Sequence, residues 1–126
     1  MRRDIEVWWK QARRDYENAR RNFEAEEFYL TAFLVQQAVE KSLKAYFLYK
    51  KNTFADKTHS LVYLGKEVGL PSKLLTSVRK INPDFIFTRY PDMDGVPPYE
   101  AYDKTIAEER LEQGNEVLTW IENKLQ

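Results

Sequence analysis

Residues Phe28 to Lys51 read FYLTAFLVQQAVEKSLKAYFLYKK. No proline or glycine interrupts them, so nothing in the stretch breaks a helix. Apolar residues recur at Phe28, Ala32, Val35, Val39, Leu43 and Tyr46, the three/four spacing of one helix face. A second stripe runs through Leu30, Leu34, Ala38, Ala45 and Leu48. Two stripes mean neighbours on more than one side, which makes this the central helix of a bundle. Its polar residues gather at Gln36, Gln37, Glu40, Lys41 and Lys44. Amides and charges in the middle of a mostly apolar helix need partners or water. Glu40, Lys41 and Lys44 lie on one side, and Glu40 and Lys44 have the i, i+4 spacing of an ordinary surface ion pair.

The flanking sequence supplies the neighbours. Asp4 can cap a first helix, Asp4 to Glu24, whose inner stripe is Ile5, Trp8 or Trp9, Ala12, Tyr16, Ala19 and Phe23. Its other face, with Arg13, Arg14, Asp15, Glu17, Arg20, Arg21 and Glu24, could be taken for a basic nucleic-acid surface. Residues 1–27 hold seven charges of each sign, and Glu17–Arg21 and Arg20–Glu24 stand i, i+4, so a solvated face is the better reading. Residues 24–27 make a tight turn, which forces the first two helices antiparallel. After the connection 52–58, Thr58 offers an N-cap for a short helix from His59 to Val68, stopped by Gly69. Pro71-Ser72 opens another, Ser72 to Ile81, closed by Asn82-Pro83. Residues 84–102 read as a long irregular loop rich in proline and aromatic residues, long enough to suspect a function. A last long helix spans Asp103 to Leu125, capped by Asp103 or Thr105. Gly114 inside it suggests close approach of a neighbour or tolerance on an exposed face. The expected fold is all-α: an up-and-down bundle of three long and two short helices in one domain, residues 1–126.

Bulk properties narrow the function. Length suits one core, and 43% hydrophobic with 32% charged residues suits a globular protein with much exposed helix. Net charge is zero, so the whole molecule is not drawn electrostatically to nucleic acid or membrane. Charge is uneven, however: residues 28–98 hold 10 Lys/Arg against 6 Asp/Glu, and residues 99–126 hold 3 against 7, which leaves room for a local basic patch. No cysteine is present, which excludes disulfides and thiolate chemistry and fits a cytosolic or a hot-growing source; the expected location is cytoplasmic. No run reaches the ~18 apolar residues of a membrane span, and no signal peptide opens the chain.

Few residues can carry chemistry. His59 is the single histidine, so a His-rich metal site is excluded. It could cap or brace its helix, or serve as a general acid/base or phosphate ligand near neutral pH. Arg89-Tyr90-Pro91-Asp92 is the conspicuous polar cluster of the long loop. Arg89 could grip phosphate or carboxylate in bidentate fashion, or pair with Asp92, Asp94 or a carboxylate of the central helix. There is no phosphate-binding Gly-rich loop. The aromatic residues Trp8, Trp9, Phe87, Tyr99 and Tyr102 exceed the needs of one small core, which points to a homodimer.

Four segments together resemble one family. Phe33 to Ala45 (FLVQQAVEKSLKA) looks like the second-helix signature of HEPN domains (higher eukaryotes and prokaryotes nucleotide-binding). Trp8 to Ala19 is similar to that family's first helix. Thr58-His59-Ser60-Leu61 and Thr88-Arg89-Tyr90-Pro91-Asp92 follow in the family's order. The resemblance covers nearly the whole chain. It implies an all-α bundle that dimerises, with a polar cleft between or beside the protomers. For small free-standing members it implies a minimal nucleotidyltransferase as partner, in a toxin–antitoxin pair. Catalytic members are metal-independent ribonucleases, marked by an Arg and a His with about four to six residues between them. Here those positions before His59 hold Asn52, Thr53 and Phe54, and no His follows Arg89. The resemblance therefore implies first a nucleotide-binding module without cofactor, its ligand held by Arg89, Tyr90, Asp92, His59, Glu40, Lys41 and Lys44. The alternative is a ribonuclease that uses Arg89 and His59 in place of the missing motif.

Overall fold

The central stretch is one unbroken helix. In the computed structural model, which describes residues 2–92 and 95–126, α1 spans Arg3–Glu24 and α2 spans Phe28–Lys51. They are followed by α3 (Leu61–Val68), α4 (Ser72–Ile81), α5 (Asp84–Phe87), α6 (Pro98–Ala101) and α7 (Lys104–Lys124). No strand occurs among the described residues. The three long and two short helices expected from periodicity are present. The aromatic stretch 84–102 adds two single-turn helices, α5 and α6, each begun behind a proline whose fixed φ suits a first turn.

Both stripes of α2 are used. Ala32, Val35, Val39 and Leu43 are fully buried, as are Ala38 and Ala45 on the other side. Leu61 and Leu64 of α3, Val78 and Ile81 of α4, and Val117 and Ile121 of α7 complete one core. On α1 the seam is made by Ile5, Ala12, Asp15 and Ala19, with the two tryptophans half-buried. Small residues at Ala12 and Ala19 let the α1 and α2 backbones approach closely. Asp15, expected among the solvated residues, is instead buried, at 6% exposure. It accepts from Gln11 Nε2 at 2.8 Å and pairs with Lys41. Among the described residues neither Glu17–Arg21 nor Arg20–Glu24 forms an ion pair; α1 instead pairs Glu6 with Lys10 at 3.2 Å, Arg14 with Glu17 at 4.0 Å and Arg13 with Glu122 of α7 at 2.8 Å.

Caps fix where the helices end. Asp4 lies inside the first turn of α1 and accepts from Ile5 N at 2.9 Å, while Arg2 occupies the N-cap. Ser60, not Thr58, caps α3: its Oγ accepts from Tyr63 N at 3.2 Å, and Thr58 Oγ1 accepts from Ser60 N. His59 therefore sits before the helix rather than in its first turn. Gly69 ends α3 at φ +78°, the left-handed conformation in which a β-carbon is penalised. Leu70 N then donates back to Gly65 O at 2.9 Å, closing the helix end. Asp103 caps α7 by accepting from Ile106 N at 2.9 Å. Gly114 marks a close approach: a β-carbon there would lie 2.7 Å from Val35 Cγ1 on α2.

Candidate functional site

A stripe on α2, Phe33, Gln37, Glu40 and Lys44, follows the three/four spacing and forms the floor of the site. Glu40 is its centre. The Glu40 side chain is only 9% exposed, and an ionised carboxylate buried to that degree needs several donors. It has three. Gln36 Nε2 donates at 3.1 Å, Lys44 Nζ at 3.1 Å, and His59 Nδ1 lies 3.1 Å from Oε1 and 3.3 Å from Oε2. Gln37 extends the network by donating to Gln36 Oε1 at 2.6 Å. The Glu40–Lys44 pair is thus not the surface salt bridge its spacing suggested; Lys44 is 15% exposed and also lies 5.9 Å from the centre of the Trp8 ring.

His59 is reached from above. Its segment carries it over α2, and its side chain is 58% exposed. A carboxylate can only accept, so it selects the tautomer with the proton on Nδ1, and the neutral ring then presents Nε2 as an acceptor. The imidazole stacks on Phe85 of α5, centroids 4.0 Å apart and planes 20° apart. Arg89 reaches the same ring: its guanidinium carbon is 4.1 Å from the Phe85 centroid and 4.7 Å from that of Phe33. His59 and Arg89, 30 residues apart by their numbers, therefore converge on one aromatic ring. Among the described residues no carboxylate pairs with Arg89. The alternative pair with Asp92 is not formed among the described residues, and Asp94 lies outside them.

The remaining sequence candidates separate. Lys41 turns away to Asp15 on α1. Tyr90 is 50% exposed, and Asp92 is exposed beside it. Tyr102, counted from sequence among the spare aromatics, is buried at 8%. The histidine, the arginine and the carboxylate that holds the histidine were readable as candidates. Phe33 and Phe85, which hold Arg89 between them, were not: Phe33 lies within the apolar central helix, and Phe85 in the stretch read as an irregular loop.

A second polar cluster went unseen in the sequence. Asp84, 2% exposed at the start of α5, accepts from Tyr102 Oη at 2.7 Å and from Arg110 Nε of α7 at 2.6 Å. Burial pushes its carboxyl above the ordinary value, while Arg110 and Tyr102 pull it back without cancelling the rise. Its partners lie 18 and 26 residues away, beyond any local pattern. No group of three or more metal-binding side chains occurs among the described residues, and no described helix is long and apolar enough to cross a membrane.

Comparison with known proteins agrees with this architecture. The HEPN domain family matches residues 5–124. The crystal structure of TT1696 from Thermus thermophilus superposes with a TM-score of 0.87 at 28% identity, covering 95% of this chain and 97% of that one. ST0689, described as an archaeal HEPN homologue, superposes with a TM-score of 0.83 at 30% identity over 100% of both chains. No curated protein matches the chain. With its helices, their order and nearly its whole length shared, the chain belongs to the HEPN domain family.

Proposed function

We propose that this chain is a nucleotide-binding module that acts with a minimal nucleotidyltransferase in a toxin–antitoxin-type pair. The observation that supports it is the state of Arg89. Its guanidinium rests on the faces of Phe85 and Phe33 with no carboxylate partner among the described residues. A guanidinium stacked this way keeps its fork of N–H donors for an incoming anion. His59 lies on the same ring and adds a group that can donate to phosphate when protonated. Tyr90, half exposed next to Arg89, is suited to stack on a base. The module acts as a cytoplasmic homodimer, with exposed Phe87 and Tyr99 among the apolar groups that a partner copy would cover. Titration calorimetry with ATP should show saturable binding that Arg89→Ala removes. Co-expression with a nucleotidyltransferase encoded beside it should give co-elution. Absence of both would overturn the reading, and a monomeric mass at micromolar concentration would remove the dimer.

The Glu40–His59 contact favours a second reading, a metal-independent ribonuclease. A histidine whose Nδ1 is held by a buried carboxylate presents Nε2 in a defined orientation for proton transfer. Arg89 could stabilise the charge developing on the phosphate. This reading predicts RNA cleavage in EDTA that both Arg89→Ala and His59→Ala abolish.

A further inference from the structure

α5 is a single turn, too short to hold its own geometry by backbone bonds alone. Yet it carries Phe85, against which both His59 and Arg89 pack. Something outside α5 must therefore set where that ring stands. Two attachments do so. At one end, Asn82 joins α5 to the histidine segment. Its Oδ1 accepts from Leu61 N at 2.8 Å, two residues after His59, and its backbone oxygen accepts from Phe85 N at 3.3 Å. At the same end, Asp84, the first residue of α5, ties the turn to α7. Its carboxylate is held by Tyr102 at 2.7 Å and Arg110 at 2.6 Å. Thr88 Oγ1 donates to Asp84 O at 2.6 Å, which ties the residue before Arg89 to the same anchor.

Arg110 is itself oriented, through Gln113 Oε1 at 3.4 Å and Glu109 at 3.8 Å. A chain of polar contacts therefore runs from α7, through a buried carboxylate, into the turn that bears the Phe85 ring. We propose that Asp84, held by Arg110 and Tyr102, is a positioning residue of the site: it fixes α5 so that Phe85 keeps His59 and Arg89 in register on its ring. The proposal rests on the reading that His59 and Arg89 form the functional site, but its physical content, the placement of Phe85 against His59, is measurable without any ligand.

The single histidine makes the test direct. Proton NMR of the full chain resolves one set of imidazole C–H resonances, and the stacked Phe85 ring displaces them by its ring current. Phe85→Leu defines the full loss of that displacement. Asp84→Asn, which keeps the side-chain shape but not the charge, should lose at least half of it while far-UV circular dichroism and cooperative unfolding persist. Tyr102→Phe removes one hydroxyl from the anchor and should move the resonances in the same direction by a smaller amount; it decides the matter if Asp84→Asn does not fold. Lys73→Ala, at an exposed pair with Glu116 between α4 and α7, should leave them unchanged. Folded Asp84→Asn and Tyr102→Phe proteins with parental His59 resonances would overturn the proposal. Failure of the functional reading looks different: Phe85→Leu would then bind ATP no worse than the parent, whatever the resonances do.

Discussion

Glu40 and His59, from α2 and the segment before α3, meet through Nδ1 at 3.1 Å, and Glu40 is the buried member of the pair. This asymmetry means that Glu40 serves two neighbours. It orients an exposed imidazole, and it neutralises Lys44, which is itself mostly buried. Removing the carboxylate charge strands that ammonium. Glu40→Ala is expected to destabilise the fold by about 3 kcal/mol, read as a lower urea midpoint. His59→Ala, at an exposed position, should change stability by less than about 1 kcal/mol. Equal effects of the two substitutions would contradict this ordering.

Gly114 faces Val35 so closely that a β-carbon would stand 2.7 Å from Val35 Cγ1. Alanine normally favours a helix interior over glycine by about 1 kcal/mol. Here overpacking opposes it, at about 1–3 kcal/mol, because Val35 is fully buried and stiff at χ1. Gly114→Ala is expected to lower the melting temperature, and adding Val35→Ala should recover part of the loss. A more stable Gly114→Ala single variant would show that α2 and α7 yield there at no cost.

Asp84 predicts a pH dependence of definite sign. Burial, the dominant influence, raises its carboxyl above the ordinary 3.8. The folded state then holds the proton more tightly than the unfolded chain. The corresponding stability is fully present below 3.8 and is lost as pH rises through the elevated value. Urea unfolding of the parent and of Asp84→Asn, compared between about pH 3.5 and pH 7, should show the parent's advantage shrinking as pH rises. An advantage that grows would mean that the Arg110 charge outweighs burial.

Separately, the Asp84–Arg110 contact should be costly to break from either side. Arg110→Met leaves a carboxylate almost fully enclosed, with Tyr102 still donating to it. A loss of about 3 kcal/mol at neutral pH is expected, measured by denaturant unfolding. The double variant Asp84→Asn with Arg110→Met should recover much of it, since neither charge is then stranded.

Much of this architecture was legible in the sequence because it is written in local periodicity. The bounds of α2 and α4 follow from unbroken apolar spacing and from Pro71 and Asn82-Pro83 at the ends of α4. Gly69 stops α3 where its freedom at positive φ is needed. What local reading missed depends on distant partners. Asp15 resembles a solvated acid until Lys41 is brought across from α2. Asp84 and Tyr102 resemble loop residues until α7 delivers Arg110. Likewise, the stretch 84–102 looked irregular because its two helices are single turns, too short for a period to register. At the site, His59, Glu40, Lys44 and Arg89 stood out by residue type alone. The ring that His59 and Arg89 share, Phe85, is one of several aromatic residues in the stretch 84–102, and nothing local singles it out.

Arg89, resting on Phe85 beside His59, is proposed to receive a phosphate, and the function stands or falls with that contact. The direct measurement is thermal unfolding of the parent and of Arg89→Ala, with and without ATP, in EDTA. At a ligand concentration about a hundredfold above the dissociation constant, binding adds about 2.7 kcal/mol, which raises the melting temperature of a domain this size by about 8 °C. The parent should show that rise, and a folded Arg89→Ala protein should not. Equal shifts in both proteins, or none in the parent at millimolar ATP, would contradict a phosphate site at Arg89.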